Sequence, residues 1–207
     1  MMECPNLYWT PCAAHCIDLM LEDIAKEPEV RPIIEKSQKL TNFIYNHGWT
    51  LSIMRNETNN GELIRPAITR FATHFLALQS ILQHRHDLVR TVTTREWRES
   101  YNRLSRKDKE LADEIYNIIF NDEYWKEITI ITGIFGPLVK VLRMVDSDDK
   151  AEMRFLYEAM DRAKEAIKKN VGNEYQKWWE IVDNRWERLL HRDIHAAGEQ
   201  YILFCMN

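Results

Sequence analysis

The sequence predicts an all-α fold, a multi-helix bundle built from amphipathic helices. Apolar residues recur three and four positions apart along most of the 207-residue chain, whereas the strict alternation of a strand is nearly absent. The chain contains only six Gly and six Pro, too few for a turn-rich β-sandwich or barrel. Hydrophobic residues make up 45% and charged residues 29%, a composition typical of a folded protein with a core.

Capping residues and glycines set the limits of the predicted helices in the first half. Thr10 is a good N-cap, and Pro11 suits the first helical position because its missing N–H has no helical partner there. Gly48 stands where a glycine in the left-handed conformation would end a helix. The helices predicted from these signals cover residues 11–26, 32–47, 49–55 and 66–92.

Similar signals divide the second half. Ser105 with Asp108 resembles a capping box, and Asn121 is a good N-cap for a long helix. Pro137 should kink that helix because it lacks a backbone donor, and Gly172 should end the next one. The segments predicted as helical are 95–104, a helix that starts at residue 105, 123–145, a helix from the acidic turn 146–149 to residue 170, 174–192 and 194–204.

Charge is distributed unevenly although the net charge is only −4. Residues 62–103 are the only net basic stretch, with seven basic and four acidic side chains, and they are rich in His. Such a stretch is either a nucleic-acid contact or ordinary variation along a solvated helical surface, and the sequence leaves both interpretations open. No repeat, low-complexity segment or linker is visible, so residues 1–207 are predicted to form a single helical domain.

The cysteines and the start of the chain indicate an intracellular protein. The four Cys residues follow no signal-peptide pattern, because the start Met-Met-Glu-Cys-Pro lacks a basic and an apolar region. We therefore expect reduced thiols in the cytosol or nucleus. No apolar run was expected to reach the ~20 residues that span a bilayer, so no membrane partner is predicted.

The chain lacks the short motifs of common enzyme classes. The phosphate loop, the dinucleotide-binding glycine pattern, the nucleophile elbow and the zinc-protease motif are all missing from the sequence. Metal-dependent phosphoryl transfer needs convergent carboxylates, whereas the Asp and Glu residues here lie mainly among Lys and Arg on helix faces. The sequence therefore offers no motif of a common enzyme class, and these carboxylates are interpreted as part of a solvated charged surface.

The most distinctive motif is Cys12-Ala-Ala-His15, which Cys16 follows. On a helix these three side chains share a face, so they could supply zinc ligands together with His191 and His195, which are four residues apart. A Cys–His nucleophile pair is a second interpretation, and packing or capping roles are a third. The long separation between the two halves favours packing roles, so no bound metal is predicted.

A second candidate is Arg70-Phe71, in the net basic stretch. An Arg can hold a phosphate with its planar fork, and an adjacent aromatic ring can stack on an unpaired base. The alternative is structural, because Phe71 fits the apolar stripe that Phe75 and Leu78 continue.

Four blocks of the sequence, in the same order, resemble plant hAT-superfamily transposases and their domesticated relatives. The first is Tyr8-Trp-Thr-Pro-Cys-Ala-Ala-His-Cys-Ile-Asp-Leu-Met-Leu-Glu-Asp-Ile24, which is similar to the C-x-x-H segment of that family. The other blocks are 43–47, 63–79 and 186–197. Four ordered blocks are more specific than one short motif.

The resemblance implies a ribonuclease H-like catalytic domain with an Asp, Asp, Glu metal-binding triad that a large helical insertion interrupts. This chain would match the insertion (28–207) and the C-x-x-H helix that precedes it (1–27), with the triad and the DNA-binding zinc finger outside it. The catalytic sheet would then be largely absent, and the resemblance implies that this chain has no catalytic residue, no cofactor and no enzymatic activity of its own.

The resemblance also implies roles for individual residues. Arg70 and Phe71 match an Arg-Trp pair that helps to hold the transposon end, and Cys12 and His15 match the C-x-x-H pair that organises the active-site flank. The expected partners are DNA, a protein partner or the parent protein itself through self-association, and the expected location is the nucleus. The alternative is a domesticated protein-interaction scaffold or transcriptional regulator module without DNA affinity.

Overall fold

The computed structural model describes residues 11–65, 72–146 and 155–190, and all regular structure within these ranges is helical. The prediction of an all-α multi-helix bundle is therefore confirmed. A 3₁₀ turn precedes α10 at Gly172–Glu174, and a π-helical turn follows it at Trp186–Leu190. The α-helices of the described ranges are α1 Ala13–Lys26, α2 Arg31–Asn46, α3 Gly48–Glu57, α4 Ala72–Gln83, α5 Arg85–Thr93, α6 Arg95–Asn102, α7 Arg106–Ile119, α8 Asp122–Val145, α9 Leu156–Val171 and α10 Tyr175–Arg185.

The chain divides into two compact units. The terminal unit contains residues 1–24 and 133–207, and the central unit contains residues 25–132. The division between them falls within α1 and within α8. The prediction of one domain over residues 1–207, with a subdivision after residue 27, stays a prediction.

The central unit is built around α2, which packs against α3, α4 and α7. Apolar faces meet as the periodicity predicts, because residues three and four apart in a helix lie on one side. Thr50 ties the start of α3 to the end of α2, since its hydroxyl lies within hydrogen-bond distance of the Ile44 carbonyl at 3.0 Å. Among the buried apolar residues of this core are Ile33, Leu40, Phe43, Ile44, Phe75, Leu78, Ile81, Leu88, Trp97, Ile115 and Trp125.

The terminal unit contains a helical hairpin in which α9 and α10 pack against each other. The Trp179 indole N–H donates to the Lys164 carbonyl at 2.9 Å and joins the two helices. The side-chain amide of Asn170 donates to the Gly133 carbonyl at 2.8 Å. The buried apolar residues of this unit include Ile17, Met20, Leu21, Phe135, Leu138, Met160, Ile167, Trp178 and Val182.

Local capping signals gave correct helix starts. The Ser105 hydroxyl accepts a hydrogen bond from the Asp108 amide at 3.3 Å and caps α7. The Asn121 side chain accepts from the amides of Glu123 and Tyr124 at 2.9 and 3.2 Å. These bonds satisfy N–H groups that have no partner within their own helix. Thr94 caps α6 in the same way.

Two predicted helix limits were wrong. The described part of the predicted helix 66–92 is interrupted at His84, between α4 and α5. The His84 ring pairs with Asp87 at 2.8 Å, and its backbone leaves the helical region with ψ 16°. Gly48 does not end α2 but begins α3, because His47, in extended backbone, separates the two helices.

Helix α8 corrects the expectation that no segment is long and apolar enough to span a bilayer. It has 24 residues, and its most apolar 18-residue window has a mean hydropathy of 1.7. Length and composition alone also fit the core helix of a soluble protein. Of that window, 39% is buried inside the protein. Ile128, Phe135 and Leu138 are fully buried whereas Ile130 is 46% exposed, so one side of α8 belongs to the core. The helix continues through Pro137.

The two helix-limiting glycines lead to opposite predictions for Gly→Ala. Gly172 ends α9 as predicted, with φ 67° and ψ −131°, a backbone conformation that side chains with a Cβ rarely adopt. We expect Gly172→Ala to lower the free energy of unfolding by about 1–3 kcal/mol. Gly48→Ala is the control: a Cβ there meets nothing within 4 Å, so it should stabilise by about 0.4–1 kcal/mol. Urea denaturation followed by circular dichroism measures the stability of both variants. Equal effects of the two substitutions would contradict the left-handed backbone conformation assigned to Gly172.

Candidate functional site

The C-x-x-H motif lies at the start of α1, where Cys12 and His15 are both exposed to solvent. Cys16, one turn after Cys12, is completely buried in the terminal unit. The amide of Cys16 donates to the Cys12 carbonyl at 3.1 Å, so the helical hydrogen bonding already includes Cys12. The structure therefore leaves Cys12 and His15 accessible and assigns Cys16 to the core.

Burial determines the chemistry of Cys16. Burial raises the pKa of its thiol, the nearby Cys12 raises it further, and Arg185 opposes both effects. Cys16 therefore stays protonated at neutral pH and is a poor nucleophile or metal ligand. Within the described ranges, no group of three or more His, Cys, Asp and Glu residues is arranged to hold a metal ion. His191 and His195, the other half of the predicted zinc set, lie outside the described residues.

The motif helix is attached to α10 by a paired ion contact. The Arg185 guanidinium donates to both carboxylate oxygens of Asp23, at 2.5 and 3.0 Å. Both side chains are about two-thirds buried, with exposed fractions of 33% and 29%. This bond to Asp23 raises the pKa of Arg185, which remains charged. A bidentate Arg–carboxylate pair fixes the relative orientation of the two side chains in addition to pairing their charges, so it holds α1 in register with α10.

The predicted DNA contact, Arg70 with Phe71, lies outside the described residues. The net basic stretch around it can be assessed from its other arginines. Three of the six described arginines form ion pairs within the central unit: Arg85 pairs with Asp122, Arg90 with Glu57 and Asp87, and Arg95 with Glu99. Arg65 lies over the Tyr45 ring and, like Arg98 and Arg103, forms no ion pair with a described residue. The bulk of the basic stretch thus resembles a solvated helical surface.

A lysine–aromatic face, formed by Lys164, Lys168, Tyr175 and Trp179, lies on the α9–α10 hairpin, and the sequence interpretation missed it. The Tyr175 and Trp179 rings meet edge to face, with centroids 4.6 Å apart. The Lys168 ammonium lies 4.9 Å from the Tyr175 centroid and 5.6 Å from that of Trp179. Lys164 lies 4.7 Å from the Trp179 centroid and also pairs with Asp183. The sequence contained a signal for this face, because the two lysines are four residues apart and the two aromatic residues are also four apart, the spacing of one helix face.

This face combines the two groups that contact nucleic-acid backbones and bases, ammonium and aromatic ring. Exposed Lys169 extends its positive charge beside Lys168. A phosphate can approach Lys168 without displacing an acidic partner, since its described contacts are the two rings. The face is therefore suited to contact a phosphate group.

Residues 1–40 match the family model of a domain of unknown function, DUF659. This domain is found in hAT-like transposase-related proteins. The matched region includes the C-x-x-H motif, α1 and the first ten residues of α2. No curated protein and no solved structure matches the chain. Over its first 40 residues, the protein is therefore similar to a transposase-related domain.

Proposed function

We propose that this chain is a catalytically incomplete helical domain of a plant hAT-type transposase-derived protein, which assists DNA-end binding in the parent protein. The observation that carries the proposal is the DUF659 match, because it contains Cys12 and His15 in the motif that resembles the hAT family. The exposure of both side chains supports a role at the flank of a neighbouring domain. The parent protein would supply the Asp, Asp, Glu triad, so this domain itself is not an enzyme and needs no cofactor.

The proposed DNA contacts are of two kinds. Arg70 and Phe71 would hold the DNA end through a phosphate and an unpaired base, as the family resemblance implies. The lysine–aromatic face would add backbone contacts, through Lys168 and its neighbour Lys169. DNA binding implies a nuclear location and no association with a membrane. Self-association would occur through the parent protein.

Binding to a labelled hairpin-ended duplex, measured by fluorescence anisotropy at several salt concentrations, tests this proposal. We expect salt-dependent binding that weakens in Arg70→Ala and in the double variant Lys168→Ala/Lys169→Ala. Each phosphate contact that is lost should reduce the slope of log affinity against log salt by about 0.9. Lys126→Ala is the matched control, because Lys126 is an exposed lysine that pairs with Glu123.

Three results would contradict parts of the proposal. Strand nicking of the same DNA with Mg²⁺ or Mn²⁺ would refute the absence of catalysis. Equal losses in Lys126→Ala and in the Lys168 double variant would refute a specific role for the lysine–aromatic face. No binding at low salt would refute the DNA role altogether.

A protein-interaction scaffold without DNA affinity is the second proposal, and a separate observation favours it. Tyr116 on α7 and Phe120, the residue that directly follows α7, form a tilted ring pair with centroids 4.5 Å apart. Their exposed fractions are 42% and 46%, unusual for adjacent large aromatic residues. Exposed aromatic side chains are enriched at the centres of protein interfaces. The internal pairing of the arginines in residues 62–103 points the same way, because it removes charge that DNA would need.

A further inference from the structure

A groove lined by aromatic side chains lies between α6 and α7 in the central unit. Its volume is about 480 Å³. Aromatic side chains from both helices line it: Trp97 and Tyr101 from α6, and Tyr116 from α7. Trp97 is 5% exposed and therefore forms the floor, whereas Tyr116 is 42% exposed and forms a rim.

The groove contains side-chain hydrogen-bond donors that have no partner among the described residues. The Trp97 indole N–H makes no hydrogen bond to any described residue, and its nitrogen stays accessible to solvent although the residue is only 5% exposed. Arg98 and Asn102, which also line the groove, have no side-chain partner among the described residues. Arg95, one turn earlier on α6, pairs with Glu99 instead. Three side chains of α6 whose donors have no described partner thus line the groove.

The remaining polar groups limit the charge of an occupant. The Tyr101 hydroxyl donates to the Asp113 carboxylate at 2.9 Å, and both residues line the groove. The Asp113 charge offsets that of Arg98, whereas the Lys109 ammonium lies 5.5 Å from the Tyr101 centroid and leaves one positive charge beside the groove. One positive charge gives a nucleic-acid strand little, because such binding rests on several phosphate contacts.

We propose that this groove binds a proline-rich segment of a partner protein in the extended polyproline II conformation. Such a segment offers carbonyl acceptors but few N–H donors, because each proline lacks one. It therefore complements the unpaired donors of Trp97, Arg98 and Asn102, while its rings pack between the aromatic walls, a known mode of recognition. The inference deepens the protein-interaction proposal and rests on it, independently of DNA binding.

The test uses the full ¹⁵N-labelled chain and a synthetic decaproline peptide, with NMR detection of the tryptophan indole N–H signals. We expect a saturable shift of the Trp97 signal, which Trp97→Phe identifies by its disappearance. Trp97→Phe should weaken binding about fivefold, because it removes one hydrogen-bond donor and keeps a ring. Tyr116→Ala should weaken it about fivefold or more through the lost ring contact, without disturbing the core.

Arg95→Ala and Trp179→Phe are the matched controls and should bind the peptide as the unchanged protein does. Three outcomes overturn the inference: no shift of the Trp97 signal, an equal shift with a ten-residue Gly-Ser peptide, or unaltered peptide affinity in Tyr116→Ala. Displacement of decaproline by a ten-residue oligothymidylate would identify the groove as a nucleic-acid site and overturn it as well. None of these outcomes affects the duplex-binding measurement, so the two proposals fail separately.

Discussion

Replacement of Trp125 by Ala is expected to lower the free energy of unfolding of the central unit by about 3–5 kcal/mol. Trp125 is 2% exposed at the start of α8, and its indole N–H donates to the Ile119 carbonyl at 2.8 Å. Its ring meets Tyr124 edge to face with centroids 5.1 Å apart, and the Arg85 guanidinium lies 5.1 Å from its centroid. The substitution therefore opens a cavity and leaves the Ile119 carbonyl without that donor.

Graded substitutions separate these contributions. Trp125→Phe keeps most of the ring and loses the donor, so its cost should be smaller, about 1–3 kcal/mol. Tyr116→Ala, at an exposed position, should change the free energy of unfolding by about 0.5 kcal/mol or less. Urea denaturation followed by circular dichroism measures all three. A loss below about 1 kcal/mol for Trp125→Ala would show that this residue is not part of a packed core.

The parts of the fold that depend on local chemistry could be predicted from sequence. Ile17, Met20 and Phe43 were assigned to buried faces because their spacing follows the helical period, and all three are buried. Ser105 and Asn121 were assigned as caps because their side chains accept from free amides one turn ahead, and both do so. Each of these predictions needs only neighbours within a few residues along the chain.

The parts that depend on distant contacts could not be predicted. The helix is interrupted at His84, whose ring pairs with Asp87. The same ring also lies against Gly61, where an added Cβ would be 2.9 Å from it. The loss of free positive charge at Arg90 follows from a pairing with Glu57, 33 positions away. Spacing along one helix carries no information about either contact, because each is created by helix packing.

The candidate sites divide in the same way. The spacing of Cys12 and His15 identified the motif, but only the fold shows that Cys16 points into the core while its neighbours stay exposed. The i,i+4 spacing of the two lysines and of the two aromatic residues was visible in the sequence, but only the α9–α10 hairpin shows that Lys168 lies over the Tyr175 ring. The roles of Arg70, Phe71, His191 and His195 stay predictions, because these residues lie outside the described ranges.

Tyr124 should make the central unit sensitive to alkaline pH. Its side chain is 1% exposed, and its hydroxyl lies 2.8 Å from the Ser37 hydroxyl, which donates to the Ile33 carbonyl. Burial raises the pKa of Tyr124 to about 12. The same phenol titrates near its ordinary pKa of about 10 in the unfolded chain.

The stability contributed by this shift is fully present below pH 10 and is lost between pH 10 and 12. In that window the unfolded chain releases the phenolic proton while the folded chain retains it, so rising pH favours unfolding. A shift of about two units corresponds to a loss of about 2–3 kcal/mol by pH 12. Urea denaturation between pH 9 and 11.5 measures the loss, and the difference between the unchanged protein and Tyr124→Phe isolates this residue from other tyrosines.

The variant Tyr124→Phe is a clean comparison because the Ser37 hydroxyl keeps its bond to the Ile33 carbonyl. It should be about 0.5–1.5 kcal/mol less stable at pH 9, through the lost hydrogen bond, and should overtake the unchanged protein as the pH approaches 12. Tyr116→Phe, which removes an exposed hydroxyl, should keep the pH dependence of the unchanged protein. Parallel curves for Tyr124→Phe and the unchanged protein would show that the Tyr124 hydroxyl reaches water in the folded state, so that burial does not control its ionisation.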